Sequence, residues 1–557
     1  MTTAQLSLEP CHNCRRRRLK CDRSVPRCSK CTKTGQECLG YQRLFRWEPG
    51  VASRGKMAGR TFEDMTKGRE EKKNEISNAD SLFPAGLSSQ NYAPGCTEVL
   101  PVGSLTDPLV QDLSHTSRKY LSYFASDVCR DLVLYDWPNH NHFRELIPLT
   151  QRYPVLLHIV IANSALHMSN ASQKLLSTST PSAFPHRRLP GQLSSACLKF
   201  SAIERLKSYH DALAAKQQAL SLLQSGIVSV SSADVDVTLA VVLLFIELEL
   251  IDSGRDHWKY HIKGARTMIE TLIGTNALTR QTAMSPLRRS LIANCLVFDI
   301  IGSALSAPIV HDSPREQFPI ANLSLLQDAE GNHCSSFPTF LLQLLRSGSA
   351  LSLPSNSSSS SSPSSPLIDA RIQQQKQKQQ LLSLLSAARD FEPLVWATNV
   401  QPHSPAHDLQ YRTHIASAHR AGVCIYLSRV LLSLCPSIST TQLPQDLDSL
   451  MGDIITHLSF IPKEHALFKA ATWPAFIAGA ETNDRERQDW IVRRFEELWD
   501  VEPWGLIKGA LGVLLKIWSN RMTNVVDGDK VNVRAEKLEH SNWIQDLRGR
   551  GVDWLVI

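Results

Sequence analysis

Six of the thirteen cysteines in this 557-residue chain fall within 28 residues, as two triplets of one internal spacing: Cys11, Cys14 and Cys21, then Cys28, Cys31 and Cys38. Each triplet is CxxC, six intervening residues and a third cysteine, and the second repeats the first at an offset of 17 residues. The other seven cysteines are scattered, which fits reduced thiols rather than a disulfide framework and marks the dense set as metal chemistry. Tetrahedral zinc takes four ligands, so two zincs need eight bonds, and six thiolates supply eight only if two of them bridge both metals. A single zinc strands two cysteines. Two metals also replace the hydrophobic core that so short a segment cannot build from its few apolar residues. Thiolate sets hold iron–sulfur clusters or copper(I) as well, but zinc is the expectation.

Arg15, Arg16, Arg17, Arg18 and Lys20 fill five of the six positions between Cys14 and Cys21. Alone, an arginine run reads as a nuclear-import signal or a solvated face. Held against a metal site, on the short helix that CxxC spacing commonly starts, it becomes a presented array. Arginine bonds bidentately to guanine O6 and N7 in the major groove, and neighbouring cations neutralise phosphates. Arg23, Arg27, Lys30 and Lys33 extend the basic surface, and Asp22 is expected to orient a basic neighbour.

The segment Cys11 to Cys38, with Arg15, Arg17, Lys20, Asp22 and Pro26 in their places, resembles the fungal zinc binuclear cluster transcription factors. The resemblance implies two zinc ions on Cys11, Cys14, Cys21, Cys28, Cys31 and Cys38, with Cys11 and Cys28 as the bridging thiolates. It implies that Pro26 sits in the loop joining the two halves. It also implies DNA contacts from Arg15, Arg17, Arg18, Lys20, Arg23 and Lys30, with Arg17 and Arg18 on a CGG-type triplet. Arg18 stands where lysine is usual, which changes the reading geometry. The function implied is nuclear, RNA polymerase II-type transcription regulation. Further patches are similar to regulators of the acriflavine sensitivity control type: Tyr41 to Gly59, Tyr135-Asp136-Trp137-Pro138 with Phe143-Arg144, and Trp473-Pro474 with Gly479 and Glu481.

The rest of the chain must position and control this segment. Residues 1–73 carry a net charge of +10 within a whole-chain value of +7, so only the N-terminus is suited to a polyanion. We read 1–10 as disordered, 11–38 as the cluster domain, 39–73 as a basic extension broken by glycines, and 74–108 as a flexible linker. Residues 109–526 read as one all-helical regulatory domain, and 527–557 as a C-terminal segment. The predicted fold class is mainly α. Apolar residues recur at helical intervals, as at Ile203, Leu206, Leu213, Leu220 and Leu223. Val235 to Ile251 is apolar around most of its circumference, as suits a helix at the centre of a bundle. Residues 354–366 form a serine-rich insertion without core-forming residues, and the glutamines of 373–380 either extend it or begin the next helix.

No secretory signal is visible at the N-terminus, and the most apolar stretch, Val237 to Ile246, falls well short of the roughly 20 residues a bilayer needs. No heptad run follows the cluster, which argues against a coiled-coil dimer and leaves a monomer or a dimer through the helical domain.

Catalytic motifs are missing from the sequence: there is no GxSxG elbow, phosphate loop or dinucleotide glycine motif. His257 and His261 lie four apart without the glutamate of a zinc protease, and we read them as ordinary histidines. His403 and His407 flank Pro405 with nothing evident to complete a site. Trp473, Trp490, Trp499, Trp504 and Trp518 read as core, a small-molecule or co-regulator pocket among them being the functional alternative. A zinc-dependent adaptor that contacts protein instead of DNA is the alternative to a DNA-binding regulator, and an enzyme is the least supported class.

Overall fold

The computed structural model describes residues 10–17, 19–25, 27–35, 38, 110–137, 140–177, 195–226, 235–278, 284–306, 323–352, 366–400, 406–526 and 542–557. The chain divides between residues 102 and 103 into two units. In the first, two five-residue helices stand 17 residues apart, α1 (His12–Arg16) and α2 (Ser29–Lys33).

Among the described residues of the second unit the elements are helices joined by loops, with two isolated β-bridges, Val133 with His333 and Arg255 with Trp554. Helix α3 (His115–Tyr123) runs through a π turn, and α4 (His142–Glu145) is a single turn. Two helices form the centre. One is α5 (Val235–Asp252), in which every residue from Leu239 to Ile251 is buried, as its all-round apolar character predicts. The other is α6 (Leu409–Leu434), buried almost continuously from Ile415 to Leu431. The helices Pro154–Ser177 and Ser195–Gly226 pack against each other most extensively, and the first also packs on α5. Around α6 lie Thr339–Leu351, Pro366–Arg389, Leu447–Ser459 and Thr472–Glu481. The glutamines of 373–380 belong to the second of these, so they begin a helix rather than extend an insertion; residues 354–365 lie outside the described residues.

One hydrophobic core joins these helices, and it takes in Trp543, Ile544, Leu547 and Leu555 to Ile557 of the C-terminal segment. Polar anchors dock that tail. Glu481 receives a two-pronged hydrogen bond from Arg429, Nε to Oε2 at 2.8 Å, and also accepts from Trp543 Nε1 at 2.9 Å. Farther on, the Leu555 N–H donates to the Gly254 carbonyl at 2.9 Å.

A second anchor shapes the loop at 330–336. Arg412 is fully buried on α6 and donates to the carbonyls of Glu330 and Gly331 and to Ser336 Oγ, at 2.9 to 3.2 Å. Asn332 of that loop accepts the Tyr135 N–H at 2.7 Å and donates to the Tyr135 carbonyl, tying the loop to the segment that follows α3.

Candidate metal centre and nucleic-acid interface

The duplication in sequence is a duplication in geometry. Cys11 caps α1 by accepting the Cys14 N–H at 3.4 Å, and Cys28 caps α2 by accepting the Cys31 N–H at 3.3 Å. The Cys11 N–H points to Cys21 Sγ, and the Cys28 N–H to Cys38 Sγ, both at 3.4 Å. A sulfur at a helix N-terminus meets free N–H groups and the positive end of the backbone dipole, both of which favour thiolate over thiol.

The six sulfurs fall into two overlapping quartets, Cys11, Cys14, Cys21 and Cys28, and Cys11, Cys28, Cys31 and Cys38, with all ligand atoms of each quartet within 4.8 Å of one another. Cys11 and Cys28 belong to both. A zinc–sulfur bond of about 2.3 Å at the tetrahedral angle sets sulfurs about 3.8 Å apart. The observed separations within the quartets include Cys11–Cys28 at 3.4 Å, Cys11–Cys31 at 3.7 Å and Cys14–Cys28 at 3.8 Å. These distances are far beyond a disulfide bond, and the cysteines are free. Residues of this type at this spacing fit two tetrahedral metals sharing an edge. Burial drives the Cys14 thiol upward in pKa when no metal is present, and opposes ionisation of Cys21 as well. At Cys21 the N–H donors of Cys11 and Arg23 outweigh burial and bring the pKa down to about 7.

Around this sulfur core the cations face outward: Arg15, Arg17, Lys20, Arg23, Arg27, Lys30 and Lys33 are all exposed. Helix α1 ends partway through the arginine run. Arg15 lies in it, Arg17 is its C-cap, and Arg18 and Pro26 lie outside the described residues. Arg23 holds the left-handed conformation (φ 61°), which turns its N–H toward Cys21 Sγ. Asp22 acts on backbone: it accepts the N–H groups of Ser29 and Lys30 at 3.0 and 3.3 Å and the Ser24 hydroxyl at 2.6 Å. The basic neighbour it serves is thus the amide of Lys30 at the start of α2, and these donors, the Ser24 hydroxyl foremost, hold its carboxyl far below the usual range.

The remaining candidates settle as structure. His261 stacks on Phe245 with centroids 4.9 Å apart, and burial lowers its pKa to about 4; His257 is exposed. His403 lies outside the described residues. His407 does have neighbours, contrary to the sequence reading, since Asp408 and His465 bring ligand atoms within 4.8 Å of its own. His465 Nδ1 accepts the Leu467 N–H at 3.2 Å, so its Nε2 carries the proton and donates it to Asp408 at 2.9 Å. A nitrogen already donating to a carboxylate is a hydrogen-bonding group, not a ready metal ligand. Trp473 and Trp504 are fully buried, and Trp499 and Trp518 nearly so, which makes them core rather than a ligand pocket. No described helix is long and apolar enough to cross a membrane.

Comparison with known proteins agrees with this geometry. Residues 9–48 match the fungal Zn(2)-Cys(6) binuclear cluster domain, and residues 119–557 match the fungal specific transcription factor domain. The acriflavine sensitivity control protein acr-2 of Neurospora crassa is 28% identical across 98% of this chain and 96% of its own length. The transcriptional regulatory protein moc3 of Schizosaccharomyces pombe is 61% identical over 31 residues, 6% of each chain. No solved structure matches. The cluster domain binds two zinc ions, and the family match extends over most of the helical region. The chain belongs to the fungal zinc binuclear cluster transcription factors.

Proposed function

We propose that this regulator reads a CGG-like element in the major groove and acts in the nucleus on transcription of the RNA polymerase II type. The observation that carries the reading is the shell of exposed cations on a cluster whose sulfurs all turn inward. In it, Cys11 and Cys28 bridge two zincs, and Cys14, Cys21, Cys31 and Cys38 complete the two tetrahedra. Base reading is assigned to Arg17 and Arg18. Arg15, Lys20, Arg23 and Lys30 neutralise phosphates and set the register of the protein on the duplex. The domain boundaries follow: residues 11–38 as the DNA-binding domain, the stretch to 108 as extension and linker, and the helical region as the part that receives a co-regulator or effector. The matches to a zinc cluster domain and a fungal specific transcription factor domain favour reading the protein as a regulator and not an enzyme.

Binding dominated by phosphate neutralisation is steeply salt-dependent, log K falling by about 0.9 per neutralised phosphate for each tenfold rise in salt. Titration of duplexes with and without a CGG triplet at several salt concentrations tests this. A steep salt slope on both, with tighter binding to CGG, is expected; a flat slope or equal affinity for both duplexes overturns the reading.

A further inference from the structure

The C-terminal segment closes over the end of α6 without filling the space between them, and a cavity of about 240 Å³ is left there. That is room for about eight waters, which suits a ligand of monosaccharide size.

Several polar groups of the lining are open to a ligand. Glu481 takes the Nε and Nη2 edge of Arg429, and Nη1 has no partner among the described residues. Nη1 is not sealed in, and the side chain, 11% exposed, opens onto the cavity that it lines. The hydroxyl of half-buried Thr440 is likewise unpaired among the described residues and not sealed in. Gln545 donates its amide to Ser433 Oγ, which leaves its own carbonyl oxygen as an acceptor and the Ser433 hydroxyl as a donor. Leu432, Pro436 and Ile438 add apolar surface.

The charge balance selects against ions. Arg429 is neutralised by the buried Glu481, so an anion gains little from it and would meet the negative end of the α6 dipole at Leu434. A cation would meet the guanidinium. An uncharged ligand avoids both costs, and hydroxyl groups, each a donor and an acceptor, match a lining that offers both. The two sides of the cavity are also fixed to each other before a ligand arrives. Asn542 donates to the Arg429 carbonyl at 3.0 Å and caps the helix Trp543–Gly549 by accepting the Ile544 N–H at 3.1 Å. Such preorganisation lowers the ordering cost of binding.

We infer that this cavity binds an uncharged polyhydroxylated molecule of monosaccharide size, hydrogen-bonded to Arg429 Nη1, Ser433, Thr440 and Gln545, and that the ligand ties the C-terminal segment to α6. The inference rests on the reading of the helical region as the part that receives an effector, and gives that part a site and a ligand class.

D-Glucose, D-gluconate and cyclohexanol test it: the second keeps the hydroxyls but carries a charge, and the third keeps the ring size with a single hydroxyl. Each is titrated into the full, zinc-loaded chain at pH 7.5, with saturable binding followed by NMR of the ligand. Glucose is expected to bind roughly tenfold more tightly than either of the others, and to slow hydrogen exchange in the helix Trp543–Gly549. Thr440→Val keeps the shape without the hydroxyl and is expected to weaken glucose by roughly threefold to tenfold, the worth of one hydrogen bond. Thr440→Trp fills the cavity and is expected to abolish binding; Thr440 is half-buried, so the two variants do not both depend on a core position. Duplex binding is measured on the same preparations, so a failure of DNA reading is seen apart from a failure here. Absence of saturable glucose binding, gluconate or cyclohexanol binding as tightly as glucose, unchanged exchange in the helix Trp543–Gly549, or an affinity unchanged in either Thr440 variant each overturns the inference.

Discussion

At the scale of single residues, the cysteine pattern was fully legible because metal stoichiometry is arithmetic: six ligands for two tetrahedral ions force two bridges. What spacing alone left open is which two, and the overlapping quartets point to Cys11 and Cys28. Cys28→Ala removes a vertex from both tetrahedra, whereas Cys38→Ala removes one from a single tetrahedron. Zinc content measured by atomic absorption is therefore expected to fall further in Cys28→Ala, and equal losses would speak against the bridging assignment. The proposed DNA contacts divide by role. Arg18→Ala is expected to relax base preference by about 1–3 kcal/mol at the affected position, the worth of a bidentate guanine contact. Lys30→Ala is expected to weaken all sequences alike and to reduce the salt slope by about one phosphate's worth. Competition binding on a panel of single-base variants separates the two outcomes. Asp22 does meet a basic neighbour, Lys30, but through the backbone amide at the start of α2, a route that nothing in the sequence shows.

At the scale of elements, periodicity identified helices but not always their buried faces. Ile203, Leu206 and Leu213 mark the helix Ser195–Gly226 correctly, yet they are 67%, 52% and 46% exposed. Leu220 and Leu223 pack partly against the core, but the most buried positions are small residues, Ser208, Ala212, Ala215 and Ala219, which let the helix lie close to its neighbour. A pattern search weighted by hydrophobicity passes over such a face. The helix Thr472–Glu481 shows the converse, because its quoted residues Trp473, Gly479 and Glu481 all have packing roles. A Cβ at Gly479 would approach Leu514 Cδ1 to 2.8 Å and Ile491 Cγ2 to 3.1 Å, while the Gly479 carbonyl accepts Trp518 Nε1 at 2.8 Å. Gly479→Ala is expected to destabilise the helical unit by about 1–3 kcal/mol through overpacking. Glu481→Ala leaves Arg429 buried without its partner and frees the Trp543 indole N–H, for a loss of about 3–5 kcal/mol. Urea denaturation followed by circular dichroism measures both, and a change below about 0.5 kcal/mol in either would contradict the packing described.

At the scale of the whole molecule, the helical unit behaves as one core closed by its own C-terminus, a closure that sequence could not reveal because the partners are distant: Glu481 with Trp543, and Gly254 with Leu555. That core buries neutral histidines. His333 and His419 have pKa values lowered to about 3 and His261 to about 4, in each case by burial first. Unfolded, each titrates near 6.5, so the unfolded chain binds more protons between there and pH 4. Their contribution is present in full above pH 6.5 and is lost as pH falls, by up to about 1.4 kcal/mol per pH unit for each histidine. Buried Glu247 and Glu502, whose pKa values burial raises, act in the opposite sense over pH 7 to 5, so the test is a comparison: lowering the pH is expected to cost His261→Phe less Tm than the unaltered chain, and equal changes contradict the burial of this ring. The central claim concerns the other unit, and selection of binding sites from a random duplex pool by the zinc-loaded full chain tests it most directly. Enrichment of CGG-containing sequences, abolished when zinc is chelated, is the result the account predicts; recovery of no preferred sequence, or a preference that survives loss of zinc, would contradict it.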